Sequence, residues 1–162
     1  MCADQRTERQ SDHVLWHQIL PWVLVVFWAG VIFFMSAKTG SDLIDGDDLI
    51  SRVKRLLNDI QTAWFGPGVD IASSLAHFCE FTVFGALLQN AFRGHVRPWI
   101  AVGLAILVGS LYGITDEIHQ LFVPDRACDP IDWLVDTAGA LLGALVAYAV
   151  THGRRRRRRK ES

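Results

Sequence analysis

Cysteine is scarce in this chain, and the short motifs of the common soluble enzymes are missing. The three cysteines, Cys2, Cys79 and Cys128, form no C-x-x-C pair and are odd in number, so no disulfide framework is expected. The chain has no Walker loop, no G-x-G-x-x-G, no H-E-x-x-H and no G-x-S-x-G. These absences argue against nucleotide-binding, zinc-protease and serine-hydrolase folds. The sequence requires no cofactor and identifies none.

Charged residues are rare inside four long apolar runs, at residues 15–35, 71–92, 98–118 and 131–150. Each run has about 20 residues, the length that crosses a bilayer core of about 30 Å. A soluble four-helix bundle would show a polar stripe on every helix, and none interrupts the first run between Pro21 and Met35. This run also exceeds a signal-peptide core and lacks a clear A-x-A site. The prediction is an all-α polytopic membrane protein, with four transmembrane helices plus one amphipathic interfacial helix in the first outer loop.

That amphipathic helix is predicted over residues 48–64. Its apolar residues repeat at helical spacing, and the pattern ends at the F-G-P-G of residues 65–68. A helix of this kind is expected to lie flat on the outer leaflet, with Trp64 and Phe65 at the depth of the head groups. A lid or a partner-docking helix is the alternative. The apolar stripe consists of Leu49, Ile50, Val53, Leu56, Leu57, Ile60 and Trp64.

The distribution of Lys and Arg orients the chain in the plasma (inner) membrane. Basic residues near span ends favour the cytoplasmic side. With both termini cytoplasmic, eleven of the 16 basic residues lie inside and five outside. Residues 1–14 then form a cytoplasmic tail, residues 15–150 the membrane domain and residues 151–162 a basic cytoplasmic tail. The five outer residues are Lys38, Arg52, Lys54, Arg55 and Arg126.

The basic tail, G-R-R-R-R-R-R-K-E-S, directly follows the last apolar run. Clustered arginines can bind nucleic acid by neutralising phosphates. Next to a span, however, they hold the helix end in the cytoplasm and attract anionic lipids, at about 1 kcal/mol per basic residue. The lipid bilayer is therefore the predicted partner of the tail, and nucleic acid is not.

Ionisable residues of three spans converge on the outer side of the membrane. A charge within the bilayer costs about 2.5 to 3.5 kcal/mol or more, so such residues face inward, pair or serve a function. Their i,i+3 and i,i+4 spacings place them on single helix faces. We therefore predict an outward-facing polar cluster, with Arg126 as its basic member. The candidates are His77 and Glu80 in the second span, Asp116, Glu117, His119 and Gln120 at the end of the third, Arg126 in the last loop, and Asp132 and Asp136 in the fourth.

Structural roles are alternatives for several of these residues. His77 and Glu80 could make an ordinary hydrogen bond between helices. Asp116 and Glu117 could be solvated at a helix end, although the helix dipole disfavours acids at a C-terminus. Asp132 could be a helix cap. Asp136 lies deeper in the helix, where capping does not explain an acidic residue. Gly139 and Gly143 form a G-x-x-x-G pair, which predicts close packing of the fourth span against a neighbour.

Three segments together resemble the VanZ-like family: L-A-H-F-C-E-F-T-V-F-G-A-L-L (75–88), S-L-Y-G-I-T-D-E-I-H-Q-L-F-V-P-D-R (110–126) and D-W-L-V-D-T-A-G-A-L-L-G (132–143). The F-M-S-A-K-T-G after the first run resembles the short motif that follows the family's first span. The resemblance covers residues 15–150 and implies a small multispanning membrane protein. For the founding member it implies reduced susceptibility to the glycopeptide antibiotic teicoplanin. Members often carry Asn where this chain has Asp136, which is thus an added charge.

Two classes of function follow. The favoured one is a non-enzymatic protein of the cell envelope whose polar pocket binds an amphiphilic ligand, such as a glycopeptide, a lipid or a cell-wall intermediate. The alternative is a membrane hydrolase or transferase acting on a lipid-linked substrate, with an acidic residue (Glu80, Asp116 or Glu117) as base and His77 or His119 as acid, or with a bound metal. The E-E-x-x-x-R and S-G-H patterns of known membrane proteases and lipid phosphatases are missing. A proton-coupled transporter would need a homo-oligomer.

Overall fold

The computed structural model describes residues 2–37, 52, 56, 59, 71–124 and 130–161, and it describes side-chain surroundings for residues 18–37, 52, 56, 59, 73–124 and 130–153. All regular structure in these residues is α-helical, which confirms the all-α prediction for this part of the chain. The helices are α1 (Cys2–Ser36), α2 (Ile71–Phe92), α3 (Pro98–Gln120) and α4 (Pro130–Glu161).

Three segments are long and apolar enough to cross a membrane: Gln18–Ser36 of α1, Pro98–Gln120 of α3 and Pro130–Gly153 of α4. The 22-residue α2 is not among them, and it carries the polar residues His77, Glu80, Gln89 and Asn90. It packs against α1, α3 and α4, most extensively against α4. Because these neighbours cover one face of α2, that face can carry polar side chains that a lipid-exposed face could not.

Helix ends follow local sequence. Pro98 lies in the first turn of α3, where its missing N–H needs no partner. The five residues between α2 and α3 turn the chain back, so the two helices run antiparallel. α1 and α4 extend beyond the predicted spans into polar sequence, α4 through the basic tail to Glu161. Arginine is a good helix former, so the change to polar residues ends the apolar run without ending the helix.

Glycines bring α2 and α4 into backbone contact. A Cβ on Gly143 would overlap the backbone of Thr82, and one on Gly139 would lie 2.6 Å from the carbonyl oxygen of Phe78. From the other side, a Cβ on Gly85 would overlap the backbone of Ala140. The predicted close packing of Gly139 and Gly143 against a neighbour is confirmed, and the neighbour is α2.

The core lies along α2, while much of the outer surface is apolar. Phe81 and Phe84 pack around Tyr112 of α3, whose hydroxyl donates to the carbonyl of Ala29 in α1 at 2.7 Å. The indole of Trp28 donates to the carbonyl of Glu80 at 2.9 Å. Exposed apolar side chains cover the outside, as expected of helices that face lipid. They include Val26, Phe27, Phe34, Leu107, Leu134 and Val146.

Several predictions fall at the limits of the described residues. Most of the predicted amphipathic helix, 48–64, lies outside them, although Arg52, Leu56 and Asp59 are helical and exposed. Cys128 and Arg126 also lie outside them, and Cys79 is a free thiol on the exposed side of α2.

Candidate functional site

The predicted polar residues that the structure describes gather at one end of the helix bundle. This end contains the beginning of α2, the end of α3 and the beginning of α4. His77 lies six residues into α2, Asp116 four residues before the end of α3, and Asp136 six residues into α4. Each therefore lies about one to two turns inside its helix, at a similar depth.

His77 lies between two buried carboxylates. Its Nδ1 is 3.2 Å from Oδ1 of Asp136 and 3.9 Å from Oδ2 of Asp116. The three residues are 5%, 0% and 3% exposed, in the order His77, Asp136 and Asp116. Since a histidine supplies at most one positive charge, the two carboxylates outnumber the available charge of the ring.

Gln120 completes this group on α3. Its Nε2 donates to Oδ2 of Asp116 at 3.3 Å, across the predicted i,i+4 spacing, and lies 3.5 Å from Nε2 of His77. The amide is 1% exposed. Gln120 thus contacts both the acidic residue of its own helix and the ring that crosses from α2.

Two carboxylate oxygens of the cluster have no hydrogen-bond partner among the described residues: Oδ1 of Asp116 and Oδ2 of Asp136. An unsatisfied buried polar atom costs about 1 to 3 kcal/mol, and more when it is charged. The three nearest ligand atoms of His77, Asp116 and Asp136 lie within 4.8 Å of one another. The arrangement suits a cation or a donor group held between them.

Asp132 also contacts α2, one turn before Asp136. Its Oδ1 accepts a hydrogen bond of 2.8 Å from the hydroxyl of Ser74, and the aspartate lies in the first turn of α4. Ser74 is three residues before His77, so the two side chains share a helix face. The pair links α2 and α4 at the entrance to the cluster.

Glu80, Glu117 and His119, which are also predicted site residues, lie near this group. Glu117 is buried at 4% exposure, and Glu80 is half-buried one turn from His77. His119 is half-buried, and its ring stacks on Phe33 of α1 at a centroid distance of 4.1 Å. The structure thus brings His77, Asp116, Gln120 and Asp136 into direct contact and places His119 against α1.

Sequence reasoning missed Gly113, which makes room for Asp136. A Cβ at Gly113 would lie 3.2 Å from Oδ2 of Asp136, so a side chain there would crowd the carboxylate. Gly113 is three residues before Asp116, and this spacing beside a predicted polar face was the available signal.

Sequence reasoning also missed a set of hydrogen bonds between α3 and α4. The hydroxyl of Ser110 accepts from the indole of Trp133 at 3.1 Å and from the hydroxyl of Thr137 at 3.0 Å. Trp133 and Thr137 flank Asp136 in sequence, so these bonds fix the part of α4 that carries it.

The chain matches a known protein family. The model of the VanZ/LLP1 family matches residues 21–151, which include the second half of α1, all of α2 and α3, and most of α4. Searches among curated proteins and among solved structures found no match.

Proposed function

Because the chain belongs to the VanZ/LLP1 family, we propose that it is a multi-pass envelope protein whose polar cluster binds an amphiphilic molecule. The cluster is the contact group of His77, Asp116, Gln120 and Asp136. The ligand class comprises lipids, lipid-linked cell-wall intermediates and glycopeptides. One observation carries the proposal: three helices bury two carboxylates together, each with an oxygen that has no hydrogen-bond partner in the described part of the chain.

The proposed topology has four spans, with α2 as the additional one. α2 has the length to cross the bilayer core, and its burial among the other helices supports a position inside the membrane. The distribution of Lys and Arg supports cytoplasmic termini. On this topology the cluster lies near the outer face, and the amphipathic helix over 48–64 lies on the same side.

The surroundings of the cluster support an amphiphilic ligand. Leu121 and Phe122, directly after α3, are 61% and 81% exposed. Apolar side chains at this position can contact the acyl or aglycone part of a ligand, while the acidic side chains attract a cationic or hydrogen-bond-donating head group. The combination of both at one helix end is what an amphiphile requires.

The proposal is tested by mass spectrometry of molecules that co-purify with the protein in mild detergent. Wild type is compared with Asp116→Asn and Asp136→Asn, and with Asp12→Asn as the same substitution far from the cluster. We expect a defined co-purifying species in wild type and Asp12→Asn, reduced at least tenfold in the two cluster variants. Equal amounts in all four proteins, or only bulk lipid in wild type, would rule out ligand binding by the cluster.

The second candidate is a membrane hydrolase or transferase, and the His77–Asp136 contact favours it. A carboxylate at 3.2 Å from an imidazole can orient the ring as a general base. Incubation of the protein with a bacterial lipid extract would then release a product, and His77→Gln would abolish the release. An unchanged extract leaves binding without turnover.

A further inference from the structure

We infer that His77, Asp116 and Asp136 form a binding site for one divalent transition-metal ion, with Zn²⁺ as the best fit. The site uses the same cluster as the proposed function but does not rest on it, because the ion needs only these three side chains. The ligands come from α2, α3 and α4, so the ion would join three helices.

The distances suit a single small ion. Zinc binds imidazole nitrogen and carboxylate oxygen at about 2.0 to 2.2 Å, so neighbouring ligand atoms of a tetrahedral site lie about 3.4 Å apart. Nδ1 of His77 is 3.2 Å from Oδ1 of Asp136 and 3.9 Å from Oδ2 of Asp116. All three ligand atoms lie within 4.8 Å of one another, so side-chain rotations can bring them onto one ion.

The charges favour a cation of this kind. Asp116 and Asp136 are both buried, and each lies in a helix that is apolar enough to cross a membrane, where an isolated carboxylate is strongly disfavoured. A protonated His77 would balance one of the two negative charges. A divalent ion balances both and leaves the ring neutral, which is the form that binds metals.

The unpartnered oxygens are an independent indication. Oδ1 of Asp116 and Oδ2 of Asp136 are buried and have no hydrogen-bond partner among the described residues. A bound ion would give each carboxylate a second interaction, since carboxylates bind metals through either oxygen or through both. Gly113 leaves the space in which Asp136 can turn.

Gln120 has the position of a residue that orients one of the acidic ligands. Its Nε2 donates a hydrogen bond to Oδ2 of Asp116 at 3.3 Å. Side chains outside the ligand set commonly fix metal-binding carboxylates by such hydrogen bonds.

The ligand set selects among metals. Mg²⁺ and Ca²⁺ prefer sites made of oxygen alone, whereas an imidazole with carboxylates suits Zn²⁺ and neighbouring transition metals. Three protein ligands leave a fourth position on zinc for water or for an anionic group of a bound molecule.

The experiment is elemental analysis of the full chain, purified in detergent with a tag that contains no histidine, loaded with Zn²⁺ and then passed over a desalting column. We expect about one zinc per chain in wild type. We expect less than a tenth of that in His77→Gln and Asp136→Asn. His13→Gln and Asp12→Asn, the same substitutions in the amino-terminal part of α1, should keep the full amount.

A second measurement covers variants that fail to fold. Co²⁺ replaces Zn²⁺ in wild type, and a tetrahedral site with nitrogen and oxygen ligands gives visible absorption bands that added Zn²⁺ removes. Wild type that binds neither ion, or variants that fold and keep full zinc, would overturn the inference. Zinc binding without a co-purifying amphiphile would support the inference and reject the proposed function. A co-purifying amphiphile without zinc binding would support the proposed function and reject the inference.

Discussion

The middle and one end of the α2–α4 contact are built from the same two helices by opposite means. In the middle, Gly85, Gly139 and Gly143 remove side chains, so that backbone touches backbone. One turn away, His77 and Asp136 fill the space between the helices with polar groups at 3.2 Å. Gly139 is three residues after Asp136 on the same helix. The close glycine contact determines the separation of the helices, and this separation brings the polar groups within reach of one another.

The largest expected effect comes from breaking the glycine contact. Gly143→Val would push a branched side chain into the backbone of Thr82, which cannot move aside as a side chain can. Overpacking of ordinary side chains costs about 1 to 3 kcal/mol, and we expect more here, with loss of monodisperse protein in size-exclusion chromatography. Gly103→Val is the control, because nothing lies within 4 Å of that position. Equal yields of the two variants would show that the contact does not hold the fold together.

The next effect concerns the polar end. Removal of one partner of a buried ionic pair costs about 3 to 5 kcal/mol, so His77→Ala and Asp136→Ala should each lower the free energy of unfolding by about that amount. The double variant should lower the free energy of unfolding by less than the sum of the two single variants. The same cycle on Trp22 and His95, an exposed hydrogen bond of 3.3 Å, should show almost no coupling. Additive losses at His77 and Asp136 would mean that the two residues act independently.

Removal of the metal should affect the polar cluster and leave the glycine contact between α2 and α4 unchanged. At 100 to 1,000 times its dissociation constant, a ligand stabilises the folded state by about 2.7 to 4.1 kcal/mol, so chelation should lower the melting temperature of zinc-loaded wild type. Hydrogen exchange should rise around His77, Asp116 and Asp136 and stay unchanged around Gly143. Asp116→Asn should show no response to the chelator. A uniform rise along α2 and α4 would contradict the separation of the two regions.

The smallest effect is expected at the hydrogen bonds between α3 and α4. Ser110→Ala removes the acceptor hydroxyl of Trp133 and Thr137. Interhelical hydrogen bonds in membranes contribute about 0.6 kcal/mol on average, so the variant should fold and melt only slightly earlier. Thr115→Val, which removes an exposed bond within α3, is the matched control. A loss of several kcal/mol at Ser110 would place it with the polar cluster instead.

The helices and much of the cluster can be predicted from the sequence, for physical reasons. Ionisable residues are so costly in apolar helices that His77, Asp116 and Asp136 are conspicuous from the amino-acid pattern alone. Their direct contacts could not be derived, because they depend on how the helices cross and rotate. The stacking of His119 on Phe33 and the bond from Ser74 to Asp132 are of this kind.

The ends of the helices could not be predicted from the sequence either. The apolar run ends near residue 150, whereas α4 continues to Glu161. Hydropathy reports where a helix can face lipid, and helix propensity decides how far it continues. The roles of Glu80, Glu117 and Arg126 stay predictions.

The contact between His77 and Asp136 cannot form as soon as His77 is synthesised, because Asp136 follows much later in the chain. His77 and Asp136 are 59 residues apart in the chain. At about 5 to 20 residues per second, His77 is synthesised about 3 to 12 seconds before Asp136. During that interval α2 carries the imidazole of His77 although its partner helix α4 has not been synthesised.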